Sequence, residues 1–473
     1  MAKAKLRVKT GCLACKLKKK KCDERQPVCS RCSKSARQCI WPELFSDKRF
    51  KGGNNLHSVA TVALKSSTVV ASNVSQSDTQ LMSFVFPNNH ILPGVVLDNH
   101  EIELLNRFTV SFIPAISPPH AHEKLRPLST FVPYVTVRQE LIDLFLACGA
   151  IDKSWNHHDS RARAFDYYKR FLKNWRKQAS GEGPGRFDNL VFVTVQLVLL
   201  LDKHIGTNSR SVCGHVSMGF KVLQRQSKTS YLEATHQPIQ RVLLESFLYN
   251  YVVSILFAAE EDLDLLPPIG TLDQFKSALE NPIFKGASEV WANNPVMGAS
   301  IDLFSKIEKL SWFFRLQSRI PVHSEAQILL EELKEFCAVQ SDDYGLHMHQ
   351  NVSYMYSIAG RLILLKMLHP EFPDTDPQIE SLVNEALVYL VNTKMGAHNG
   401  CVGSIVAWPL AIIGFASRSE LQRAIILRKA EELGETLHAG FALQVSELVR
   451  ISWEEGLGLN ILYATELLAN FAL

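Results

Sequence analysis

The sequence predicts a mostly all-α protein in two unequal parts: a small N-terminal module folded around metal, and a large all-helical domain behind it. Three observations predict this. Six of the ten cysteines fall between Cys12 and Cys39. From about residue 98 onward, apolar residues recur three and four apart with charged residues on the other face, and alternating strand patterns are scarce. Charge divides in the same place: residues 1–50 hold 15 of the 51 Lys and Arg and 4 of the 47 Asp and Glu, a net of +11. The overall charge of +4 therefore leaves −7 on the rest of the 473 residues. A basic head on a mildly acidic body suggests a polyanion as the partner of the head. A content of 46% hydrophobic and 21% charged residues excludes a disordered, collagen-like or supercharged chain.

The head reads Cys12-Leu-Ala-Cys15, six residues, Cys22, six residues, Cys29-Ser-Arg-Cys32, six residues, Cys39. It is an internal repeat, with C-x2-C-x6-C written twice. Two intervening residues let a pair of thiolates face one ion from a tight turn entering a short helix. Zinc suits the site, because it takes soft thiolate ligands in tetrahedral geometry without redox chemistry. Two four-coordinate zincs need eight bonds, which six cysteines supply only if two sulfurs bridge both ions. A single zinc would use four cysteines and leave two thiols in a basic segment; the repeat favours the two-zinc solution. So short a segment buries too little apolar surface to fold alone, so metal supplies most of its folding free energy.

Between Cys15 and Cys22 the chain is Lys16-Leu17-Lys18-Lys19-Lys20-Lys21. Lysines along one metal-pinned helix repel each other, and a row of phosphates offsets that repulsion. A bare import signal would need no six metal ligands.

On these residues the segment Cys12–Cys39 resembles the DNA-binding domain of the fungal zinc binuclear cluster transcription factors, whose six cysteine positions are all filled. The resemblance implies two zinc ions, with Cys12 and Cys29 bridging them and Cys15, Cys22, Cys32 and Cys39 as terminal ligands. It implies double-stranded DNA with CGG-type triplets as partner. Lys18 and Lys19 would reach base edges in the major groove, where lysine pairs with guanine O6 and N7. Lys16, Lys20, Lys21 and Arg25 would meet phosphates, which position without specifying. Pro27 fills the place of the family's loop proline.

The expected domains are 1–45 for the zinc module, 46–97 for a linker and 98–473 for the helical regulatory domain. The linker is rich in Ser, Thr, Asn and small residues and poor in charge, so it reads as a flexible tether. It holds no apolar heptad series, so binding to a single triplet and homodimerisation through the body both stay open.

The body predicts helices at Arg138–Asp152, Ser160–Gln178, Leu190–His204, Val242–Glu261, Ser300–Gln317, Ser324–Val339, His349–Leu368, Gln378–Asn392 and Glu420–Leu437. Gly181–Gly185, Pro267-Pro268 and Pro370–Pro373 separate some of them. Leu144–Trp175, Trp408–Leu427 and Val449–Glu454 are similar to the regulatory region that accompanies the cluster in many of these factors. That similarity implies co-regulators, or a small-molecule effector, as partners of the body. No G-x-x-x-x-G-K-[ST], G-x-S-x-G or H-E-x-x-H occurs, so no enzyme is expected. Cys148, Cys213, Cys337 and Cys401 read as buried core thiols. His120/His122 and His347/His349 lack nearby Cys or acidic partners and read as no metal site.

The N-terminus lacks the apolar stretch of a secretory signal, and the apolar run Leu190–Leu201 is too short to span a membrane. The expectation is an intracellular, soluble, non-membrane protein acting in the nucleus. Its clustered thiols would then be metal ligands rather than disulfides. The leading reading is a sequence-specific DNA-binding transcription regulator of RNA polymerase II genes. The alternative is a helical ligand-sensing or scaffold protein whose zinc head binds nucleic acid without sequence preference.

Overall fold

The computed structural model describes residues 23, 29–34, 96–113, 122–125, 141–157, 159–179, 188–225, 238–283, 293–294, 296–297, 301–338, 344–395 and 403–472. The chain forms two compact units, Met1–Pro87 and Asn88–Leu473. In the first unit the described secondary structure is one short helix, α1 (Ser30–Lys34). The second is helical, and no strand occurs among the described residues.

The body begins with α2 (Asn99–Arg107), which runs on through a π turn at Phe108–Phe112. Its start is a capping box: Asp98 accepts from the Glu101 N–H at 2.7 Å, and Glu101 accepts from the Asp98 N–H at 3.2 Å. Next come α3 (Ile142–Ser154) and α4 (Asp159–Ala179), an extensively packed pair joined by a short turn. Gly149 of α3 lets it lie against α2: a Cβ there would stand 1.9 Å from the Leu104 carbonyl oxygen. Every residue of α3 from Asp143 to Asp152 is buried, as its position between α2 and α4 requires. Then follow α5 (Asp188–Ile205), α6 (Ser209–Arg225), α7 (Pro238–Ser254) and α8 (Thr271–Glu280).

The remaining long helices are α9 (Ile301–Leu316), α10 (His323–Lys334), α11 (Tyr344–Leu368), α12 (Pro377–Asn392), α13 (Ala407–Ala416), α14 (Glu420–Leu437) and α15 (Gly440–Glu454). All ten residues of α13 are buried. It touches α11, α12, α14 and α15, which explains why its sequence is apolar on every side. Pro409 sits in its first turn, where the missing N–H would have had no intrahelical partner.

Aromatic side chains cross the core from helix to helix. Tyr249 (α7) meets Phe304 (α9) at 5.8 Å between ring centres, Phe304 meets Tyr356 (α11) at 4.8 Å, and Tyr356 stacks on Trp408 (α13) at 5.2 Å. Contacts of α5 with α15 and of α7 with α9 join the early helices to the late ones.

Most expected helices occur, with shifted ends. Three expectations are corrected. The stretch Val242–Glu261 is not one helix: α7 stops at Ser254, and 3-10 turns at Ile255–Phe257 and Glu260–Leu265 follow. The Ser254 hydroxyl donates to the Asn250 carbonyl at 2.5 Å, and Ala258 is extended. The helix expected to reach Val339 ends at Lys334. Cys337, just beyond it, is therefore exposed rather than a core thiol, while Cys148 and Cys213 are buried as expected. Cys401, His120 and the Gly181–Gly185 loop lie outside the described residues.

Candidate metal and nucleic-acid site

Of the six cysteines expected to hold metal, Cys29 and Cys32 lie among the described residues. Cys12, Cys15, Cys22 and Cys39 lie outside them, as do Lys16, Lys18, Lys19, Lys20, Lys21 and Arg25. Cys29 immediately precedes α1, and Cys32 lies within its first turn. Both are buried, at 0% and 2% exposure, in a segment dominated by polar and basic residues. The Cys32 N–H points at the Cys29 sulfur at 3.4 Å, and the Ser33 N–H donates to the Cys29 carbonyl at 3.0 Å. The C-x2-C stretch thus forms a tight turn that enters a helix, with both of its cysteines buried.

This arrangement fits a thiolate–metal site. An N–H directed at a thiolate sulfur stabilises its negative charge and fixes its orientation, as partners beyond the metal ligands do elsewhere. Two buried sulfurs in a short basic stretch have little apolar core to join, whereas a bound zinc would occupy them.

One contributor is not legible in the spacing. Both carboxylate oxygens of Asp23 accept from the Ser30 N–H at 3.2 Å, seven residues away. Ser30 is the first residue of α1, so Asp23 satisfies one of the N–H groups that the start of a helix leaves without a partner. Its charge also lies at the positive end of the peptide dipoles. The signal available in the sequence is weak: an acidic residue directly after a cysteine, before a helix of unknown start.

Several of the body's buried polar groups bind neighbouring helices and turns together. Glu308 of α9 is fully buried and accepts from Tyr251 Oη at 2.8 Å, from the Thr271 N–H at 2.9 Å and from the Leu272 N–H at 3.1 Å. Burial raises its pKa, and these three hydrogen bonds oppose the rise. It caps α8 from outside, since the residue before α8 is Gly270, with φ 82° and no side chain to do so. Arg241 is likewise buried and donates to the Asn281 carbonyl at 2.6 Å. His349 is buried and held down to about 4 by burial, with Nε2 3.3 Å from the Val296 carbonyl, while its neighbour His347 is exposed. That pair therefore does not converge. Among the described residues, no group of three or more His, Cys, Asp or Glu is arranged to hold a metal, and no helix is long and apolar enough to cross a membrane.

The molecule is thus a cysteine-built metal module joined to an all-helical body. Residues 10–49 match the fungal Zn(2)-Cys(6) binuclear cluster domain, and residues 272–457 match the fungal specific transcription factor domain. Both matched domains are those of the fungal zinc binuclear cluster transcription factors, a family of regulators and not of enzymes, and the N-terminal match implies zinc as the metal of that domain. It is 54% identical over 43 residues to transcription factor lfc1 of Flammulina velutipes, covering 9% of this chain and 15% of that protein. It is 54% identical over 35 residues to transcription activator AMTR1 of Alternaria alternata, covering 7% of this chain and 4% of that protein. An uncharacterized transcriptional regulatory protein of Schizosaccharomyces pombe is 58% identical over 36 residues, 8% of this chain and 7% of its own. These matches span only a small part of each curated relative. No solved structure matches the chain. The matched transcription factor domain runs from α8 to just past the end of α15, and α2–α7 precede it within the same compact unit.

Proposed function

We propose that the chain is a nuclear, sequence-specific DNA-binding regulator of transcription. Its head, residues 1–45, holds two zinc ions through Cys12, Cys15, Cys22, Cys29, Cys32 and Cys39, with Cys12 and Cys29 shared between them. Lys18 and Lys19 read CGG-type triplets, and Lys16, Lys20, Lys21 and Arg25 hold the phosphates. Residues 46–97 connect the head to the helical domain, 98–473, which receives regulatory input and recruits co-regulators. The observation that carries this reading is the buried Cys29–Cys32 pair, with its N–H···S contact at 3.4 Å, inside the stretch that matches the zinc cluster domain.

The reading is tested on the purified full chain by metal analysis and by DNA titration of Lys18→Ala and Lys19→Ala. Two zincs per chain and a relaxed triplet preference in these variants support it. One zinc per chain, or a uniform loss of affinity for all sequences, contradicts it and favours a head that binds nucleic acid without preference.

A further inference from the structure

Helix α4 stands apart from the body around it. Asp159–Ala179 holds seven Lys and Arg against two Asp, a net of +5 in 21 residues, within a body of net negative charge. Its cations are used in two ways. Arg170 is tied to Asp143 at 2.5 Å and to Glu101 at 3.5 Å, and Arg161 donates to the Ile205 carbonyl at 3.0 Å. Both fix α4 to its neighbours. Arg163, Lys169 and Lys173 are exposed, and among the described residues none of them makes an ion pair or a hydrogen bond.

Elsewhere the body commonly neutralises such groups. Lys276 meets Asp302 at 2.6 Å, Lys306 meets Glu332 at 2.9 Å, and Lys309 meets Asp273 at 2.9 Å. On α4 the anions are Asp159 at its start and Asp166, both exposed, and among the described residues neither forms an ion pair. Ten residues of helix separate Arg163 from Lys173, a span of about 15 Å. That is too wide for one small anion and suits a linear array of charges. No large hydrophobic side chain is exposed on α4, so an acidic amphipathic peptide would find no anchor there. A phosphodiester backbone needs none.

We propose that Arg163, Lys169 and Lys173 form a second, sequence-independent contact with the backbone of the DNA that the head engages; this rests on the DNA-binding reading above. A cationic face covalently joined to the head meets that DNA at high effective concentration, so weak contacts suffice. The contact adds affinity and residence time and carries no triplet preference.

The test uses the zinc-loaded full chain and the triple variant Arg163→Gln/Lys169→Gln/Lys173→Gln, titrated with a CGG-containing and a scrambled duplex over a series of salt concentrations. Expected is an equal loss of affinity for both duplexes, with a plot of log K against log salt shallower by about 0.9 for each phosphate contact removed, roughly 2 to 3 in all. Lys276→Gln/Lys306→Gln, on the paired surface, leaves the slope unchanged. An unchanged slope in a triple variant that melts like the parent overturns the proposal, and so does an equal change in the paired-surface control. If the parent shows no triplet preference yet the slope still falls in the triple variant alone, the reading of the head fails and the role of α4 stands.

Discussion

Asp23 accepts the Ser30 N–H with both carboxylate oxygens at 3.2 Å. Asp23 directly follows Cys22 and Ser30 directly follows Cys29, so this contact closes the stretch between the two cysteine repeats. On the zinc-cluster reading proposed above, this carboxylate would position the turn at Cys29 from outside the six cysteine ligands.

Asp23→Ala is therefore expected to weaken zinc retention by about 10–100-fold, the usual cost of losing a partner that positions a ligand. Competition with a chromophoric chelator measures it. Asp23→Asn retains an acceptor oxygen and is expected to recover part of the loss. Equal retention by the parent and Asp23→Ala would remove Asp23 from the site.

Glu308 offers a parallel case in the body. Glu308→Ala leaves the Leu272 N–H without its buried acceptor and leaves Tyr251 Oη and the Thr271 N–H to share the Pro268 carbonyl, at 3.1 and 3.2 Å. Each orphaned buried group costs about 1–3 kcal/mol. The expected result is a melting point lower by several degrees, with early loss of α8 protection in hydrogen exchange. An unchanged melt would contradict the capping role.

Two buried imidazoles are expected to contribute acid sensitivity to the body. Burial is the first cause at both His204 and His349, and it holds each down to about 4 from an ordinary 6.5. Between those values the unfolded chain takes up protons that the folded chain refuses. Stability that is complete above about 6.5 is therefore lost as pH falls towards 4, by up to about 1.4 kcal/mol per pH unit for each group. Melting points of the parent and of His204→Gln/His349→Gln across pH 4–7 check this. The variant is expected to show the flatter profile, and identical profiles would refute it.

Thiol reactivity should follow burial. Cys337 is exposed, whereas burial raises the Cys148 thiol far above its usual range and the Cys213 thiol to about 12. Iodoacetamide is expected to label Cys337 on the native chain and to reach Cys148 and Cys213 only on unfolding. Cys29 and Cys32 should be protected by zinc and labelled after chelation. Mass spectrometry of the peptides reads all five, and native labelling of Cys148 would contradict the packing.

These cases separate what spacing reveals from what it hides. Cys29 and Cys32 were legible because two-residue spacing constrains local geometry whatever surrounds it. Most of the helices were legible because burial of one face writes a period into the sequence. Asp23 and Glu308 were not, because each caps a helix from a distance: Asp23 lies seven residues from Ser30, and Glu308 lies thirty-seven from Thr271. Cys337 was misread because Phe336, Ala338 and Val339 continue an apolar pattern past the point where α10 ends. Phe336 leaves the helical course to meet Tyr354 edge-on at 5.9 Å.

On the function proposed above, a zinc-built head reads CGG-type DNA. The most direct test is equilibrium binding of the full chain to a CGG-containing duplex and to a scrambled duplex at one fixed salt concentration, with and without zinc. The predicted result is zinc-dependent binding that favours the CGG duplex by about 1–3 kcal/mol for each base contact made by Lys18 and Lys19. Equal affinity for the two duplexes, or binding that survives removal of zinc, would contradict it.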